Sequence, residues 1–166
     1  INHKLIMNRR ILAIAIAISF LFSCQSNETS TTTTEVAEVK LVSPTFDADS
    51  ALAYTKAQVD FGARIPSSAA HAKTAKYLVE KFKAFGADVM VQEAPAKTYD
   101  GKSHTLKNII ASFTTAKKER VLISAHWDAR PFSDQDPDEN MRDKPFDAAN
   151  DGASGVAVIL EMARQI

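Results

Sequence analysis

His126 and Asp128 stand two residues apart, directly after the apolar run Val121-Leu122-Ile123-Ser124-Ala125. A short, nearly all-apolar run is expected of a central strand buried on both faces. If the strand continues through the pair, the two side chains share a face and Trp127 points the other way. Open α/β sheets bind ligands at this end of their strands. There an imidazole is a common zinc ligand, and a nearby carboxylate can orient the ring and raise its basicity. Strand ends also supply such pairs by chance, so His126 and Asp128 alone do not establish a metal site.

A second carboxylate comes from Asn150-Asp151-Gly152-Ala153-Ser154-Gly155, at the mouth of the last predicted helix, where glycines permit close backbone approach. Asp151 reads either as a metal ligand or as a helix-capping aspartate favoured by the helix dipole. The other polar residues near the motif have plainer readings. His71 is expected to be a surface or capping residue near a helix start, and Trp127 to pack behind the site. Asp134, Asp136, Asp138 and Glu139 lack the glycine and terminal glutamate of a calcium loop, so a solvated acidic loop is expected there.

These residues must be positioned by the elements around them. A first helix is expected from Asp49 or Ser50 as cap through Leu52, Tyr54, Ala57 and Phe61, stopped by Gly62. A second, capped by Ser67 or Ser68, carries Ala75, Leu78, Phe82 and Phe85 at helical spacing and ends before Gly86. Its apolar stripe needs a sheet to cover, and the sheet follows. Ala87 to Ala94 alternates around Val89 and Val91, Asp100-Gly101 signals a hairpin turn, and Leu106 to Phe113 reads as the partner strand. Lys117 to Arg120 is a polar turn. The last helix presents Val156, Ile159, Leu160 and Ala163 on one face.

The sequence has 166 residues, room for one domain, and its 45% hydrophobic and 24% charged content is that of a globular protein. Twenty basic residues balance twenty acidic ones, which disfavours binding of nucleic acid by bulk charge. Met7 is followed by Asn8-Arg9-Arg10 and an apolar run from Ile11 to Phe22, shorter than the roughly 20 residues of a membrane-spanning helix. Residues 7–23 therefore read as a secretory signal, and residues 1–6 as untranslated. The exit Leu21-Phe22-Ser23-Cys24 resembles the lipobox of bacterial lipoproteins, in which the cysteine is acylated after cleavage. Cys24 is the only cysteine, which excludes an intrachain disulfide and a cysteine-based zinc site. Residues 24–43, polar and rich in threonine, read as a tether, and residues 44–166 as the folded part. The expected location is the bacterial envelope, exported and lipid-anchored.

The apolar run, His126-Trp127-Asp128, the acidic loop and Ala149-Asn150-Asp151-Gly152-Ala153-Ser154-Gly155-Val156-Ala157 together resemble the M28 zinc metallopeptidase superfamily in order and spacing. The likeness extends upstream through Arg64-Ile65-Pro66, Ser68-Ala69-Ala70-His71 and Lys107-Asn108-Ile109-Ile110-Ala111. It implies a three-layer α/β/α fold, a mixed sheet with helices on both faces. Trp127 and the stretch Ala129 to Asp138 are most similar to bacterial glutaminyl cyclases of the animal type, which convert N-terminal glutamine to pyroglutamate with release of ammonia. In that subfamily the aspartate matching Asp151 holds a single zinc; in the dinuclear aminopeptidases it bridges two, and the histidine matching His126 is a ligand as well. The resemblance gives Asp128 an orienting role and makes peptide or protein N-termini the expected substrates. It also puts the general-base glutamate, a second glutamate, a further aspartate and a late histidine beyond Ile166. Three protein ligands are the usual minimum for a catalytic zinc, so residues 1–166 by themselves are expected to be the inactive N-terminal part of such an enzyme. A non-catalytic lipoprotein that binds peptides remains the alternative from another class.

Overall fold

The computed structural model describes residues 42–166. The expected signal (7–23), Cys24 and the expected tether up to residue 41 lie outside the described residues. The described chain runs through helix α1 (Ala48–Asp60), helix α2 (Ala69–Ala84), strands β1 (Asp88–Lys97) and β2 (Ser103–Ser112), a 3₁₀ turn (Glu139–Met141), a kinked wide turn (Ala149–Ala153) and helix α3 (Ser154–Gln165).

Side chains that satisfy free backbone groups set the helix boundaries. The α1 cap is Asp47, two residues ahead of the expected Asp49, and its carboxylate accepts from the amides of Asp49 and Ser50. Such a cap contributes about 0.5–2 kcal/mol. Ser68 caps α2 through the His71 amide. At the other end, Gly86 turns left-handed at φ +87°, and the amides of Gly86 and Ala87 donate to the carbonyls of Lys83 and Phe82. That pair of bonds is the Schellman stop, which glycine reaches without a Cβ penalty.

β1 and β2 pair antiparallel from Asp88↔Ser112 to Lys97↔Ser103 across the Asp100-Gly101 turn. Val89 and Ala111, paired across the ladder, pack against a core of Ala75, Leu78 and Phe82 from α2, Val156, Leu160 and Ala163 from α3, and Trp127. Leu78 and Leu160 are almost wholly buried. Full burial of one such side chain contributes about 1.5–3 kcal/mol.

The expected α/β composition is present, as helices against a small antiparallel sheet. The expected central strand at Val121 to Ala125 is not formed. Among the described residues the sheet contains only β1 and β2, and Val121 and Leu122 are each 89% exposed. Apolar composition marks a segment that can fill a buried sheet, but a ladder requires neighbours on its edges, and none of the described residues pair with this one.

Candidate metal centre

Residues 126–129 form no ladder bonds, and other contacts hold them. The Trp127 indole donates to the Lys107 carbonyl on β2 (3.1 Å), and its ring stacks on His71 with centroids 4.2 Å apart and planes 17° apart. Trp127 is buried behind the site, as expected, which turns His126 and Asp128 together toward solvent. Nδ1 of His126 lies 3.5 Å from Oδ1 of Asp128. The shared face expected of a strand is thus kept by packing.

His71 departs from expectation. It is only 3% exposed, inside the protein against Trp127. Burial pushes its pKa down, and the Asp128 carboxylate opposes that shift, while Lys107 and His104 add to it. Burial thus favours the neutral form of the imidazole beneath Trp127.

Asp151 reaches the site from the other side. Ala148, left-handed at φ +51°, turns the chain into the wide turn, where Asp151 itself is non-helical at φ −107°, ψ 82°. No side chain caps the start of α3. The capping reading of Asp151 thus finds no support; its Oδ1 instead lies 2.9 Å from Nε2 of His126. Gly152 permits that approach. A Cβ built there would collide with the His126 carbonyl oxygen and lie 2.9 Å from Cε1 and Nε2 of the ring. Gly155 repeats the pattern, with a Cβ position 3.2 Å from that of Ala125.

Arg64 ties the two halves together. It is fully buried, and its guanidinium donates to the carbonyls of Trp127 (2.9 Å), Asp147 (2.8 Å) and Ala148 (2.8 Å). Burial lowers its pKa, against the nearby Asp147 and Asp128 carboxylates. Arginine is rarely buried, so its type and position give no sign of this role.

The donor set fits zinc, which takes imidazole nitrogen and carboxylate oxygen at ~2.0–2.2 Å, so that two ligand atoms at a tetrahedral angle stand about 3.3 Å apart. The His126–Asp151 separation is within a few tenths of an ångström of that spacing. Both side chains are about half exposed, which leaves their donor atoms accessible to an ion and to a substrate. Among the described residues no group of three His, Cys, Asp or Glu side chains converges on one point. The acidic residues 134–139 instead bond within their own loop, where Arg130 pairs with Asp134 and Asp138 accepts from the Asn140 amide.

Residues 108–166, which contain His126, Asp128 and Asp151, match the model of Peptidase family M28. Over that stretch the chain is similar to the M28 peptidase family. It is similar to the glutaminyl cyclase of Tannerella forsythia, with 50% identity and a TM-score of 0.72 over 74% of this chain and 42% of that one. It is similar also to a Zn-dependent exopeptidase from Parabacteroides distasonis, with 50% identity and a TM-score of 0.74 over 75% and 43%. A leucine aminopeptidase precursor from Bacteroides thetaiotaomicron matches at 48% identity and a TM-score of 0.73 over 75% and 43%. The sequence thus spans about two fifths of the length of these proteins.

Proposed function

We propose that this chain supplies Asp151, and the structure that holds it, to the zinc centre of a glutaminyl-peptide cyclotransferase. The observation that carries the reading is Asp151, which faces the site beside His126 and does not cap α3, in a chain 50% identical over 74% of its length to a bacterial glutaminyl cyclase. Asp151 is the proposed ligand, His126 lines the centre, and Asp128 orients the His126 ring through Nδ1. The bound zinc supplies a Lewis acid at the substrate carbonyl.

Cyclisation joins the substrate's α-amino nitrogen to its own γ-carbonyl carbon, and the bond to the side-chain amide nitrogen breaks. One proton passes from the attacking amine to the departing nitrogen, which leaves as ammonia. Because the nucleophile belongs to the substrate, much of the rate must come from holding a single conformer. Trp127 contributes a rigid wall behind the site: its ring is pinned between His71 and the Lys107 carbonyl. In the complete protein, Gln-initiated peptides should release ammonia, and Asp151→Ala should abolish this release and lower zinc retention. Release of a free amino acid without ammonia would defeat the cyclase reading.

An M28 aminopeptidase is the second reading, favoured by equally high identity to a Zn-dependent exopeptidase. There His126 would be a ligand too, so zinc content separates the two: about one ion per chain for the cyclase and about two for the peptidase. His126→Ala should strip one metal from the dinuclear enzyme and leave the zinc of the cyclase in place. In either enzyme we propose peptide or protein N-termini as substrates. We also propose export to the bacterial envelope and anchoring at Cys24, on the strength of the signal at residues 7–23 and the lipobox.

A further inference from the structure

We propose that Arg64 is a positioning residue of the metal centre, whose guanidinium locks the His126-Trp127-Asp128 segment to the turn that presents Asp151. The inference rests on the zinc reading given above and assigns a role to a residue remote from the reacting atoms.

A charged side chain with no exposure is costly to bury unless its donors are satisfied. The Arg64 bonds go to three main-chain carbonyls, not to a carboxylate, and they belong to two segments that are not neighbours in sequence. Nε takes the carbonyl of Trp127, the residue between His126 and Asp128. Nη1 and Nη2 take the carbonyls of Asp147 and Ala148, which lead into the turn carrying Asp151. The Arg64 carbonyl in turn accepts from the Ala129 amide (3.1 Å). One residue therefore holds the 127–129 stretch from both its backbone and its side chain, where no ladder holds it.

The position of Ala148 adds to the argument. A residue with a Cβ at φ +51° is held there only by surrounding bonds. The carbonyl of Ala148 receives two, from Nη2 of Arg64 and from the Ala153 amide across the wide turn. The planar fork of a guanidinium can serve carbonyls on both segments at once, whereas a lysine ammonium on the same path is a single point of donors.

The test uses the complete protein, as wild type, Arg64→Lys, Arg64→Met and Asp151→Ala, each stripped of metal. Zinc affinity is measured by chelator competition, the ligand field by the visible spectrum of the Co²⁺ form, and folding by thermal melting of the metal-free chain. Arg64→Lys and Arg64→Met should melt cooperatively, bind zinc some 10–100-fold more weakly, as loss of outer-shell support does, and shift the cobalt bands. Lysine should do no better than methionine. A folded Arg64 variant with wild-type affinity and spectrum overturns the proposal. Failure of both variants to fold, even with zinc present, also overturns it by making Arg64 a folding residue. If Asp151→Ala keeps wild-type zinc, the metal reading itself falls; if only the Arg64 variants keep it, the positioning role alone falls.

Discussion

At Gly152 the backbone passes so close to His126 that a single methyl group has no place to go. A Cβ there would overlap the His126 carbonyl oxygen and crowd the Cε1–Nε2 edge that faces Asp151. Gly152→Ala must therefore push the imidazole away or displace the turn. Overpacking of this kind costs about 1–3 kcal/mol. The expected result is a lower melting temperature together with weakened zinc binding in the complete protein, read by calorimetry and chelator competition. Wild-type values for both would show that the close approach is not required. A residue such as this was partly legible. The glycines around Asp151 announced close backbone contact, although only the fold shows that the contact is with His126. His71 was not legible, because its place near a capped helix start looks polar, and only the Trp127 ring stacked on it reveals its burial.

Between elements, one buried carboxylate ties the start of α1 to α3. Glu161 on α3 is fully buried and accepts from Arg164, from Gln165 and from the backbone amide of Asp47, the α1 cap. These bonds, Arg164 foremost, hold its pKa down to about 2, below the ordinary 4.5, although burial opposes them. The unfolded chain therefore binds the extra proton first as acid is added. The stability that Glu161 provides is complete above about pH 4.5 and is lost progressively as the pH falls toward 2. Glu161→Gln should melt earlier at pH 7 and lose that part of the acid dependence, measured as melting temperature from pH 7 to pH 2. Equal slopes for wild type and variant would remove Glu161 from the account. The elements themselves were legible wherever local chemistry decides them. Ser68, Gly86 and the Asp100-Gly101 turn each act within a few residues, and the helices and hairpin appear where those signals put them. The α1 cap moved to Asp47, since Asp and Ser residues cluster there and any of them can serve as cap. The apolar run 121–125 failed as a strand for a different reason: pairing depends on another segment, which its own sequence does not encode.

At the scale of the whole chain, the proposed attachment to a membrane does not draw on net charge. Basic and acidic residues are equal in number, so no net positive charge reinforces binding to an anionic surface. Among the described residues no helix is long and apolar enough to cross a bilayer. A single short acyl chain gives only marginal binding, and stable anchoring takes a second signal or a second chain. Multiple acylation of Cys24 would meet that need. Mass spectrometry of the protein purified from its own membranes should accordingly find Cys24 as the mature N-terminus, carrying acyl chains. A mature N-terminus at any other residue, or an unmodified Cys24 thiol, would overturn the proposed anchor.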